Sequence, residues 1–148
     1  MFRRKRYGIA CKTARGEVVR SIAEKRITDI LFCHGVRYEY EPKLVSGWWV
    51  FKKVVSIPDF YLSDYNVYIE FWGLVNEKAD YRKHMKWKMK QYHNNRIKVI
   101  SIYPDNLWHL EWILKKKFEA LTGIPFPKKE YYYTREVIKI PNANDTLL

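Results

Sequence analysis

The sequence predicts an α/β (α+β) domain in which one central mixed β-sheet is flanked by helices. Three observations lead there. Apolar residues make up 47% and aromatic residues 17% of the 148-residue chain, enough to build a core and too many for a disordered polymer. Helical and strand periodicities follow one another in the order helix, antiparallel strands, helix, strand, helix. A Gly-rich phosphate loop of the G-x-G-x-x-G or Walker type is missing, which disfavours a doubly wound nucleotide-binding fold. The length suits one domain over 1–148, with a basic arm over 1–16, a core over 17–122 and an extended tail over 123–148.

Each element has a local reason. Residues 1–16 are basic and irregular, with a break at Gly8. From Ser21 a helix is expected, since Ile22, Ile27, Ile30 and Leu31 recur at helical spacing and Gly35 supplies a stop. Residues 36–45 alternate in strand fashion, Val36, Tyr38 and Tyr40 on one side and Arg37, Glu39 and Glu41 on the other. A Ser46-Gly47 turn leads to a second strand over 48–56, rich in Trp, Val and Phe. Residues 58–62 and 66–72 make a hairpin around Ser63-Asp64-Tyr65-Asn66, residue types suited to a tight turn. A charged helix over 77–94 and a strand over 96–103 follow. Pro104 and Asp105 open a last helix with apolar positions Leu107, Leu110, Ile113, Leu114 and Phe118.

Charge and composition narrow the class of partner. The chain carries 28 Lys and Arg against 16 Asp and Glu, a net charge of +12. Such a field attracts polyanions, of which nucleic acid is the commonest inside a cell. No apolar run approaches the roughly 20 residues of a membrane helix, and Met1-Phe2-Arg3-Arg4-Lys5-Arg6 is not followed by an apolar signal core. The two cysteines, Cys11 and Cys33, form no C-x-x-C motif. These features together describe a soluble, intracellular (cytoplasmic) basic domain without a membrane partner.

The informative feature is the hairpin. With its turn centred between Asp64 and Tyr65, Asp59 faces Glu70 across the strand pair, where Cβ atoms stand roughly 4.5–5.5 Å apart and like charges are destabilising. Phe60, Tyr61, Leu62, Val67, Ile69 and Phe71 around them are the residues of a buried pair, and burial sharpens the repulsion. A divalent cation resolves the conflict, because Mg²⁺ takes a few carboxylate oxygens and bridges to phosphate. Splaying of both carboxylates into solvent at a sheet edge resolves it too.

The next helix adds a lysine. Advancing about 100° per residue, Tyr81, Met85, Met89 and Tyr92 fall on one apolar stripe and Lys88 lands inside it. Lys83, Lys86 and Lys90 lie on the opposite, solvated face. Lys88 either snorkels out from beneath its neighbours or aims its ammonium at an anion within the fold, where it would stabilise charge building on phosphate oxygens. Glu24 also has two readings. Ser21-Ile22-Ala23-Glu24 fits a capping box in which Glu24 reaches back to the first amide, and Glu24 equally suits the outer shell of a metal.

Arg20-Ser21-Ile22-Ala23-Glu24, Tyr38-Glu39-Tyr40-Glu41-Pro42, Pro58-Asp59-Phe60, Ile69-Glu70-Phe71-Trp72-Gly73 and the run from Tyr81 through Trp87-Lys88 to Tyr92 resemble, in order and spacing, the PD-(D/E)XK nuclease superfamily. The resemblance covers about residues 18–115. It is nearest to restriction-endonuclease-like domains of the kind attached to superfamily 1 helicases. In the basic family pattern the lysine stands two residues after the acidic residue, a position held here by Trp72. In the branch this chain resembles, a lysine of the following helix takes its role, and Lys88 matches that position.

The resemblance implies a restriction-endonuclease-like fold with Mg²⁺ or Mn²⁺ held by Asp59, Glu70 and the Phe71 carbonyl. It further implies hydrolysis of DNA phosphodiesters by a metal-activated water, with Lys88 positioning the water and Glu24 supporting the metal. The leading expectation is a stand-alone DNA endonuclease in repair or recombination, structure-specific rather than sequence-specific, working as a homodimer. The competing readings are a non-catalytic nucleic-acid-binding module and an accessory subunit of a helicase or recombination complex. Arg3, Arg4, Lys5 and Arg6, with Lys128 and Lys129, are candidate phosphate contacts. Tyr131-Tyr132-Tyr133 beside Arg135 suit packing more than base stacking. Trp48, Trp49, Trp108 and Trp112 are read as core or dimer contacts. His34, His84, His93 and His109 show no zinc spacing.

Overall fold

The computed structural model describes residues 10–46, 53–134 and 137–139. In chain order the elements are β1 (Cys11–Lys12), β2 (Val18–Val19), α1 (Ile22–Cys33), β3 (Glu39–Tyr40), β4 (Leu44–Ser46), β5 (Lys53–Ser56), β6 (Phe60–Leu62), β7 (Val67–Phe71), α2 (Ala79–Asn94), β8 (Val99–Ile102), a 3-10 helix (Pro104–His109), α3 (Leu110–Thr122), β9 (Tyr132–Thr134) and β10 (Val137–Lys139). The chain is therefore mixed α/β, with a mixed four-stranded sheet and three helices. It divides into two compact units, one spanning Met1–Val36 and Pro127–Leu148, the other Arg37–Phe126.

The first unit centres on α1. Ser21 caps it, its Oγ accepting from the Glu24 amide at 3.1 Å. At the other end Gly35 takes a positive φ of 63°, the Val36 amide donates to the Leu31 carbonyl and the Gly35 amide to that of Phe32. This left-handed cap is the one that favours glycine. Residues 10–16, expected to be an irregular arm, instead enter a hairpin in which β1 pairs antiparallel with β2 around a turn closed by the Gly16 amide on the Thr13 carbonyl. β9 and β10 pair antiparallel, as their aromatic and β-branched residues favour. The Nδ1–H of the buried His34 donates to the Pro127 carbonyl at 2.6 Å, and Phe32 stacks on Tyr131, tying that segment to α1.

The second unit contains the sheet, in strand order β3-β6-β7-β8. β3 and β7 each run antiparallel to β6, and β8 runs parallel to β7. One face of the sheet presents Phe60, Leu62, Val67, Ile69, Ile100 and Ile102, all buried. The strand expected over 36–45 breaks after Tyr40, because Glu41 has a left-handed φ of 51° and Pro42 follows. The chain resumes as β4, which pairs with β5 in a separate two-stranded sheet. Trp48 and Trp49 lie outside the described residues.

The last helix begins as a 3-10 turn before α3 takes over. α3 buries Leu110, Leu114 and Phe118, and Phe118 meets Tyr65 and Phe126 edge-on at 4.9 and 5.1 Å. Trp108 and Trp112, expected in a core or at a dimer contact, are exposed on the chain itself. Their sides of the helix turn away from the leucine stripe. Truncating Leu114 to alanine should cost about 2–5 kcal/mol in urea unfolding, whereas Trp112→Ala should stay within about 0.5 kcal/mol of the parent.

Candidate active site

The β6–β7 hairpin brings the two expected carboxylates together. Its register pairs Phe60 with Ile69, Tyr61 with Tyr68 and Leu62 with Val67, so the next step outward sets Asp59 against Glu70. The turn Ser63–Asn66 that fixes this register depends on Asn66 at a φ of 53°, a conformation Asn tolerates. Asp59 itself lies one residue before β6 and is pinned twice. Its carbonyl accepts from the Glu41 amide at 2.8 Å and its Oδ2 accepts from the Phe71 amide at 2.6 Å.

Neither carboxylate splays into solvent: Asp59 is 3% and Glu70 1% exposed. α2 covers them. Tyr81, Met85, Lys88 and Tyr92 form its inward stripe, as the helical spacing predicts, while Lys83, Lys86 and Lys90 face solvent. Met89, expected on the stripe, is exposed, because the inward arc is narrower than the sequence pattern suggested. Lys88 is 6% exposed and does not snorkel. Its ammonium binds Glu70 Oε1 and lies 3.4 Å from the Ile57 carbonyl. The Tyr92 hydroxyl donates to the same Glu70 oxygen.

Tyr92 is a site residue the sequence reading passed over. The available signal was a tyrosine, not a phenylalanine, one turn after Lys88 on a buried stripe, since a buried tyrosine hydroxyl needs a partner. Trp72 is another. It is buried beside Lys88, whose ammonium stands 5.5 Å from its ring, and its Nε1 has no hydrogen-bond partner among the described residues. A buried donor left so costs about 1–3 kcal/mol.

Burial pushes the Glu70 carboxyl from its ordinary 4.5 up to about 7. The neighbouring Asp59 charge adds to the rise, while Lys88 and the Tyr92 hydroxyl oppose it without cancelling it. Two hard oxygen donors of this kind match Mg²⁺ or Mn²⁺, which need only one or two carboxylates and complete their shells with water and phosphate. Lys88 and Tyr92 both meet Glu70 through Oε1. The orphaned Trp72 Nε1–H is the sort of donor that an oxygen ligand would satisfy. The donor set thus fits the cation, although no group of three or more His, Cys, Asp and Glu side chains suited to an ion occurs among the described residues.

Phe71 ends β7, and its amide is the group seen engaged by Asp59. Glu24 belongs to the first unit and works there as a cap, Oε2 accepting from the Arg20 amide at 3.0 Å, one residue before the amide expected. Lys128 and Lys129 are exposed, also in the first unit, and Arg3, Arg4, Lys5 and Arg6 lie outside the described residues. No described helix is long and apolar enough to cross a membrane. Comparison of the chain with protein-family models, curated proteins and solved structures returned no match.

The raised Glu70 value has a measurable sign. Between pH 4.5 and about 7 the folded chain keeps a proton that the unfolded chain has released, so this group makes stability fall as pH rises through that window and level off above it. Urea unfolding followed by tryptophan fluorescence across that range should show a flatter pH slope for Glu70→Gln than for the parent. Equal slopes would mean that Glu70 titrates normally.

Proposed function

We propose that the chain is a metal-dependent DNA nuclease with a restriction-endonuclease-like catalytic unit. The observation that carries this reading is the buried, facing Asp59–Glu70 pair, with the Lys88 ammonium on Glu70. A protein selected only for stability gains little from burying two like charges together. A cation-binding site requires them there. The net charge of +12 supports a polyanionic substrate.

Asp59 and Glu70 would hold the ion, with the Phe71 carbonyl as a third donor. Mg²⁺ or Mn²⁺ bound there would polarise the scissile phosphate and lower the pKa of a water. The chain's own residues do the rest. The Phe71 amide fixes the orientation of the Asp59 carboxylate, and Tyr92 does the same for Glu70. Lys88, already turned inward by α2, has the reach to hand its ammonium from Glu70 to an incoming phosphate oxygen. The same Lys88–Glu70–Tyr92 contacts favour a second reading, a binding module in which an internal ion pair has replaced the metal.

Cleavage of end-labelled duplex, single-stranded, forked and four-way-junction DNA with Mg²⁺ or Mn²⁺ separates the two readings. Asp59→Asn and Glu70→Gln should each lower cleavage roughly a thousandfold or more, abolish Mn²⁺ binding in calorimetry, and leave DNA affinity within about twofold. Tight DNA binding by the parent, with neither cutting nor Mn²⁺ binding, would establish the module.

A further inference from the structure

Two tryptophans of the second unit have no role in the reading above. Trp108, in the 3-10 turn, is 86% exposed, and Trp112, in the first turn of α3, is 62% exposed. Tryptophan is on average a largely buried residue. A neighbouring pair on the surface calls for a ligand more than a scattered single residue does.

Their place in the fold says where such a ligand would lie. β7 and β8 run parallel, with Glu70 opposite Ser101 and Phe71 opposite Ile102. The 3-10 turn starts at Pro104, so the chain leaves β8 at the end of the sheet that carries Glu70 and Phe71. α3 then runs back along β8. Lys117 Nζ donates to the Ser101 carbonyl at 2.6 Å, and Lys117, Ala120 and Leu121 line a cavity of about 230 Å³ with Val99, Ile100 and Ser101. Both tryptophans therefore stand at the carboxyl end of the parallel strands, where ligands of open α/β sheets bind.

The chemistry of the surface selects the occupant. Trp112 is followed one turn later by the exposed Lys116, an aromatic face beside a cation. A second copy of this chain would bring another +12 against the first, whereas a polyanion is drawn to it. We propose that Trp108 and Trp112 are a stacking platform for unpaired bases of a single-stranded polynucleotide, held beside the Asp59–Glu70 site. Stacking on indole accepts any base, while Lys116 takes the phosphate. This inference deepens the nuclease reading, on which it rests for its purpose, by making a substrate with a single-stranded part the preferred one.

Binding measured in EDTA tests it with the full chain and no turnover. Fluorescence anisotropy with labelled oligo(dT), oligo(rU) and a blunt duplex of equal length should show the parent preferring the single strands. Trp108→Ala and Trp112→Ala should each weaken oligo(dT) binding about five- to a hundredfold, with duplex affinity within about twofold, and Trp108→Phe should recover most of the loss. An equal loss on oligo(rU) assigns the platform to bases of either polymer; a loss confined to oligo(dT) assigns it to DNA. Unchanged single-strand affinity in both alanine variants, shown folded by urea unfolding, overturns the proposal. So does an equal loss on duplex, or a loss of self-association in sedimentation equilibrium without a loss of binding. Failure here leaves the Glu70→Gln cleavage test intact, and an uncleaved substrate leaves this binding result intact.

Discussion

The second unit is organised around a charge conflict. Two carboxylates face each other in a strand pair whose other residues are apolar, and both are nearly inaccessible to water. Water is the usual means of screening such a pair, and burial removes it. The surroundings supply partial substitutes: the Phe71 amide for Asp59, and the Lys88 ammonium with the Tyr92 hydroxyl for Glu70. They bring α2 across the sheet and hold it there. Burial still outweighs them, and the Glu70 carboxyl stays displaced upward.

That displacement joins stability to the proposed chemistry. A fully neutralised pair would be inert ballast, and an uncompensated one would open the strand pair to solvent. The rest of the sheet tolerates the strain because its other face is a continuous layer of Phe60, Leu62, Val67, Ile69, Ile100 and Ile102. α3 completes the unit beside β8, with Trp108 in the 3-10 turn before it and Trp112 in its own first turn.

The first unit makes a different use of the same residue types. The Glu24 carboxylate accepts from the Arg20 amide at the start of α1, while its own amide donates to Ser21 Oγ. His34 spends its Nδ1–H on the Pro127 carbonyl, which ties the returning chain to the end of that helix. A glutamate or histidine in a buried position thus marks chemistry only when its backbone surroundings leave it something to do.

Local rules determined much of this molecule from the sequence alone. The Ser21 cap and the Gly35 stop bound α1, the Asp64-Tyr65 turn set the register that opposes Asp59 to Glu70, and helical spacing put Lys88 on the inward side of α2. These follow from chemistry within a few residues of each feature. Only tertiary structure decided the rest. Strand periodicity over 36–45 could not show that Glu41 turns left-handed and sends its two halves to different sheets. Residues 10–16 and 132–139 became hairpins because each found a partner strand. Apolar character placed Trp108 and Trp112 in a core or at a dimer contact, and within the chain the leucine stripe of α3 had already filled the side facing β8. Partner choice and burial depend on segments distant in sequence, so they are properties of the assembled chain and not of any window of it.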